Sequence, residues 1–280
     1  MPELPEVETI KNELAPRVIG KRINDVTILW QGMVHQPSVE EFRSQLAGRQ
    51  ITELTRRGKY LIFHLSDGKV LIVHLKMSGS LLIKSASDEP DKYVRAIIHL
   101  DGKALHFRDP RKFGKMWLVD DEKEVVGELG PEPLRADFTP ERLAQLLVHR
   151  SAPMKALLCD QSFIAGIGNM YADETLFRAR IHPLRPAKSL TRQEIKRLHH
   201  AIREVLKLGI SHKGASVTNY MLPDGTLGTA HNEFQVAHRG GEPCPVCGTP
   251  IARLPIRHRG TYFCPKCQPV KFTTDNASCG

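Results

Sequence analysis

No stretch of the 280 residues is apolar for long enough to cross a membrane, and no basic-then-apolar leader precedes a small-residue cleavage site. The expectation is a soluble, intracellular protein that does not span a membrane. Internal repeats and low-complexity tracts are missing as well. Acid is in short supply: 31 Asp and Glu stand against 40 Lys and Arg, giving a net charge of +9 and a pI near 9.3. An excess of that size points to a polyanionic partner, either nucleic acid or an acidic membrane surface. Cysteine is scarce too. In a reducing compartment its six copies are more readily metal ligands than disulfides. What the chain does have is apolar side chain, 41% of the total, enough to build cores for one or two domains.

The chain opens Met1-Pro2-Glu3-Leu4-Pro5-Glu6. With Met1 removed, Pro2 carries a free secondary α-amine beside a carboxylate. An α-amine titrates at about 8, well below lysine, so a usable fraction is neutral at physiological pH. Attack of that amine on an electrophilic sugar carbon yields an iminium cation, whose fixed charge draws electrons for later eliminations. The plainer reading is a helix start, with Pro5 in the first turn and Glu3, Glu6 and Glu8 complementing the helix dipole. These six residues alone do not separate the two readings.

Val7, Ile10 and Leu14 predict a helix from Pro5 to about Leu14. From Arg22 to Val119 the signals are mostly strands. Lys59 to Leu65 alternates into an Asp67-Gly68 turn and returns at Val70 to Leu75, and Val94 to Leu100 pairs with Ala104 to Phe107 around Asp101-Gly102. Several such hairpins predict a β-sandwich. Gly127 to Pro133 is rich in breakers and reads as a linker, after which the period turns helical. Thr139-Pro140-Glu141 opens one helix, and Thr191-x-x-Glu194 is a capping box ahead of Ile195, Leu198, Ile202 and Val205. The fold class is therefore α+β, an N-terminal β-sandwich lobe with an N-terminal helix followed by a helical lobe.

Cys244-x2-Cys247 and Cys264-x2-Cys267 stand 16 residues apart, the spacing of a four-thiolate zinc site. Four thiolates close the coordination sphere, so one Zn²⁺ with a structural role is expected. Cys159 and Cys279 are left over. Arg253, Arg257, His258 and Arg259 make the intervening hairpin tip cationic, which suits phosphate, although a charge run is often only a solvated face. Between Lys155 and Glu174 two helical segments flank Gly166-Ile167-Gly168-Asn169. A glycine turn feeding a helix start offers free N–H groups to phosphate.

Taken together, residues 1–9, Arg57-Gly58-Lys59-Tyr60, Arg108-Asp-Pro-Arg-Lys-Phe-Gly114, Asp160-Gln161 through Asp173-Glu174, and the four cysteines resemble the bacterial formamidopyrimidine-DNA glycosylases, in the family's order from residue 1 to about Gln268. Leu4 is similar to the formamidopyrimidine branch, where the endonuclease VIII branch has Gly. The resemblance implies a glycosylase and abasic-site lyase acting on oxidised purines in double-stranded DNA, a monomer in the bacterial cytoplasm. It implies Pro2 as nucleophile at C1′, Glu3 as proton donor and acceptor, and Lys59, at the start of a strand, on the lesion and its phosphate. Glu6 falls near the lesion pocket. Met77, Arg111 and Phe113 match side chains that enter the duplex when a base is flipped out, and Lys155, Asn169 and Arg259 match a phosphate clamp. The implied domains are a catalytic sandwich at 1–130, a helical domain with a helix–two-turn–helix motif at 131–235, a zinc finger at 236–270 and a disordered tail at 271–280.

Each assignment has a plainer counterpart. Met77 and Phe113 also suit a core, Lys59 also suits a solvated strand edge, and the histidines, His74 and His106 among them, are read as structural. Gly214-Ala215-Ser216 and Ala237-His238 depart from the family pattern, the first in the loop expected to cover the extruded base. Two alternatives remain: an endonuclease VIII-like preference for oxidised pyrimidines, or a zinc-containing DNA-binding protein without catalysis.

Overall fold

The computed structural model describes residues 1–270. The expected disordered tail, with Cys279, lies outside them. The chain forms two compact units, Met1–Leu129 with Leu208–Asn232, and Gly130–Lys207 with the segment from Glu233 onward. Among the described residues no helix is long and apolar enough to cross a membrane.

In the first unit, α1 (Leu4–Val18) buries Leu4, Val7, Ile10, Leu14 and Val18 along one face. It outruns the expected end at Leu14 because Val18 is drawn into the core. Pro16 sits in the last turn, where its missing N–H breaks little, and Ile19 N–H still closes on Ala15 O at 3.1 Å. The strands are β1 (Ile23–Ile28), β2 (Val34–Gln36), β3 (Ile51–Arg57), β4 (Tyr60–Leu65), β5 (Val70–His74), β6 (Ser80–Ser85), β7 (Val94–Leu100), β8 (Lys103–Arg108) and β9 (Lys115–Val119). They form a four-stranded sheet in the order β1-β7-β8-β6 and a five-stranded sheet in the order β2-β9-β5-β4-β3. Asp67-Gly68 and Asp101-Gly102 turn two of the hairpins, each glycine taking the positive φ the turn demands.

One core joins the two sheets and the helix, with Val26, Ile98 and Phe107 from one sheet, Phe63, Val73 and Leu118 from the other, and Ile10 from α1. Burial of each such side chain contributes roughly 1.5–3 kcal/mol. The expected β-sandwich is present. A short helix among the strands, α2 (Val39–Leu46), was not expected. It starts on a Ser38/Glu41 capping box and buries Phe42 and Leu46. A further short helix, α3 (Lys123–Val126), lays Val126 against Ile62, Ile72 and Trp117 on the outer face of the five-stranded sheet.

Leu208–Asn232, placed by the sequence with the helical part, groups with the first unit because Tyr220 and Leu222 enter its core. Ile83 N–H donates to Pro223 O at 2.8 Å, and Ser80 Oγ to Asn219 O at 3.3 Å.

The second unit holds α4 (Pro140–Leu147), α5 (Met154–Leu158), α6 (Asn169–Ala179) and α7 (Arg192–Ser211) as far as Lys207, then a hairpin of β10 (Ala252–Ile256) and β11 (Arg259–Phe263). Thr139 caps α4 by accepting from Arg142 N–H, and Thr191 accepts from Glu194 N–H ahead of α7, as the sequence predicts. Buried Glu174, on α6, accepts the N–H groups of Gln235, Val236 and Ala237 at 2.8–3.0 Å and so fixes the approach to the hairpin.

Candidate functional site

In the first unit Pro2, Glu3 and Glu6 are all buried at the head of α1. Glu6 Oε2 accepts Glu3 N–H at 2.7 Å, and its Oε1 accepts Ala215 N–H at 2.8 Å. The carboxylate thus ties the residue beside Pro2 to the 214–216 segment. Gly214 fits there at φ +79° with no room for a side chain: a Cβ would stand 2.9 Å from Glu6 Cγ and 2.9 Å from the Tyr220 ring. Glu6, which the resemblance set near a lesion pocket, is an internal strut between the head of α1 and this segment. Tyr220 OH donates to Lys213 O at 3.0 Å, and burial followed by the Glu6 charge pushes its phenol up.

Lys59 was expected to begin a strand. It occupies the second position of the Gly58-Lys59 turn between β3 and β4, and it is buried. A solvated edge lysine would not be. His74, read from sequence as structural, is the more informative residue. Its Nδ1 accepts Lys76 N–H at 2.8 Å, which places the ring proton on Nε2. Burial, then the positive charges of Lys76 and Lys59, push the ring down from 6.5 to about 3. It is a neutral donor held beside two cations, and a lone histidine in a strand gave no sign of it.

Two loops of the same unit, after β5 and after β8, carry Met77 and the Arg111–Phe113 pair. Met77 is 44% exposed and Phe113 43%, so neither is a core residue. The Arg111 guanidinium lies 4.7 Å from the Phe113 ring centroid, a cation–π stack. Lys76 and Lys112 hold left-handed backbone, at φ +53° and +60°, immediately ahead of the two exposed apolar side chains.

The second unit carries the other predicted residues. Asn169 is the first residue of α6, and its Nδ2 donates to Gly260 O at 2.8 Å, joining the helix start to the hairpin beside Arg259. Arg259 is exposed, just past a tight turn in which Arg257 and His258 take φ +45° and +64°. With Arg257, Ala156, Cys159, Asp160 and Gln161 it lines an open recess of about 430 Å³. Lys155 was expected in the phosphate clamp. It is buried, with Nζ 2.6 Å from Asn169 O and 2.7 Å from Asp173 Oδ1, so it braces the loop–helix junction from within. Asp173 Oδ2 accepts Tyr262 N–H at 3.1 Å and ties the same brace to β11.

The four cysteine sulfurs lie within 4.8 Å of one another, with Cys244–Cys267 at 3.9 Å and Cys247–Cys264 at 3.4 Å. Tetrahedral Zn–S bonds of about 2.3 Å place sulfurs roughly 3.8 Å apart, so the cluster fits zinc.

Three family models cover most of the chain: the Formamidopyrimidine-DNA glycosylase N-terminal domain at residues 1–116, the Formamidopyrimidine-DNA glycosylase H2TH domain at 129–221, and the zinc finger found in FPG and IleRS at 241–270. The formamidopyrimidine-DNA glycosylase of Chloroflexus aurantiacus is 47% identical over 272 residues, which span 96% of this chain and 98% of that one. The chain belongs to the formamidopyrimidine-DNA glycosylase family.

Two solved structures of the Lactococcus lactis family member are also similar, one with a Fapy-dG containing DNA and one with an abasic site containing DNA. Each has a TM-score of 0.89 at 34% identity and covers 96% of this chain and 100% of the other. Membership makes the cysteine element the family's zinc finger, which holds one structural zinc.

Proposed function

We propose that this protein is a bifunctional DNA glycosylase and abasic-site lyase for oxidised purines, 8-oxoguanine and formamidopyrimidines, in duplex DNA. The observation that carries the reading is the buried Pro2-Glu3 pair anchored through Glu6, in a chain of this family. Pro2, freed of Met1, attacks C1′ of the damaged nucleotide, and the bond from C1′ to the base breaks. Glu3 delivers a proton to the ring oxygen as the deoxyribose opens, leaving an iminium between Pro2 and C1′. Loss of a C2′ proton then expels the 3′ phosphate, and a second elimination expels the 5′ phosphate. The strand is cut without hydrolysis of a phosphodiester.

The target sugar cannot be reached inside a stacked duplex, so the nucleotide must be extruded at a cost of a few kcal/mol. Exposed Met77, Phe113 and stacked Arg111 suit the role of filling the vacated space. Lys59 serves the lesion and its phosphate. Asn169 and Arg259 serve the DNA backbone, with Lys155 supporting them from inside. The recess with two arginines and the net charge of +9 favour sequence-independent phosphate contact. A closed four-thiolate zinc site has no open position for chemistry. The protein would act as a monomer in a bacterial cytoplasm.

Borohydride trapping tests the reading on duplexes carrying 8-oxoguanine, formamidopyrimidine, an oxidised pyrimidine or an abasic site. The expected adduct maps to Pro2 and forms with the purine lesions and the abasic site. An adduct on another residue, or faster trapping on oxidised pyrimidine, would overturn the chemistry or the substrate class respectively.

A further inference from the structure

The loops bearing Met77 and the Arg111–Phe113 pair are separate in sequence, yet one buried carboxylate organises both. Asp109 is fully buried. Its Oδ1 accepts the Ser78 hydroxyl at 2.5 Å and Arg111 N–H at 3.1 Å, and its Oδ2 accepts Phe113 N–H and Gly114 N–H at 2.7 Å each. Three of these donors shape the loop that carries Arg111 and Phe113. The fourth belongs to the residue after Met77.

Asp109 is itself fixed by its backbone, with its N–H on Tyr93 O at 2.8 Å and its carbonyl accepting Arg95 Nε at 2.9 Å. The same two loops also close on one ring. A Cβ at Gly79 would stand 2.8 Å from the Phe107 ring, and one at Gly114 would stand 2.5 Å from it. Left-handed Lys76 and Lys112 persist in this setting because the surroundings over-determine them.

We propose that Asp109 is a positioning residue that makes the two loops a single wedge. The Ser78 hydroxyl is the link through which Met77 and Phe113 enter the duplex together. The proposal rests on the reading of Met77, Arg111 and Phe113 as duplex-filling side chains. Asp109 touches neither lesion nor sugar in this scheme; it sets where those side chains stand.

Removing Asp109 strips four donors at once and risks the fold, so the test uses Ser78. Single-turnover rates are measured for base removal from a stably paired lesion duplex and for cleavage at a preformed abasic site, with Phe113→Ala as reference. Ser78→Ala is expected to slow base removal about ten- to a hundredfold, the size of a hydrogen bond to a charged group, and abasic cleavage by less than about threefold. Ser78→Thr, which keeps the hydroxyl, should restore base removal. A double-mutant cycle of Met77→Ala and Phe113→Ala should show coupling with Ser78 present and additivity in the Ser78→Ala background. A merely structural role would lower melting temperature and both rates together and leave that coupling intact. If Phe113→Ala slows both substrates equally, the wedge reading fails and the proposal with it. If Phe113→Ala discriminates and Ser78→Ala does not, the proposal alone fails.

Discussion

Lys155 Nζ stands 2.7 Å from Asp173 Oδ1, and both side chains are 1% exposed. Burial pushes the Asp173 carboxyl up, and Lys155 pulls it back. Breaking such a pair from one side leaves the other charge stranded, at a cost of about 3–5 kcal/mol. Lys155→Ala should therefore lower thermal stability markedly, and DNA affinity only as a consequence of a slackened α6 and β11. Melting curves beside binding isotherms check this. A stable variant with weakened binding would return Lys155 to direct phosphate contact.

His74 gives the protein an acid-sensitive limb. Its folded-state ring, at about 3, lies below the unfolded value of 6.5. Between those two values the unfolded chain takes up a proton that the folded chain refuses. The contribution is complete above 6.5 and is lost as pH falls toward 3, at up to about 1.4 kcal/mol per pH unit. His74→Asn should flatten the fall in melting temperature over this range. An unchanged pH slope would mean that the ring titrates normally in the native state.

Lys59, in its turn ahead of β4, is assigned to the lesion and its phosphate, whereas Pro2 is assigned to the sugar. Lys59→Ala should slow base removal at least about tenfold more than cleavage at a preformed abasic site, within the range of lost proton-transfer or charge assistance. Single-turnover assays on the two duplexes decide it. Equal losses would reduce Lys59 to general binding or stability.

Cys247→Ser should release the zinc and loosen the hairpin whose first β11 residue is Arg259. Metal content, melting temperature and DNA affinity are expected to fall together. Full DNA affinity in zinc-free protein would separate the hairpin from binding.

Local chemistry was the legible part. Asp-Gly turns, the threonine caps and paired cysteines announce themselves within a few residues, and the structure has each of them. Ser38 and Glu41, a capping box of the same kind, also announce α2, but strand signals on both sides mask it. What the sequence hid depends on distant partners. Glu6 meets Ala215 across 209 positions, and that contact, with the burial of Tyr220, moves Leu208–Asn232 into the first unit. A lysine reads as exposed unless its counter-ion is known, and for Lys155 that ion is Asp173, one element further on. Asp109 was visible as a letter in a motif, but its four donors were not.

Lys76 and Lys112 sit where glycine would be at ease. A search for heat tolerance alone would reward glycine at both positions, since relief of each left-handed strain is worth on the order of 1 kcal/mol. The hardened variant would lose two positive charges and gain slack beside Met77 and Phe113, where the proposed wedge needs stiffness. Durability and grip are thus set against each other at the same two residues, and an engineer who reads only melting temperatures would improve the first at the expense of the second.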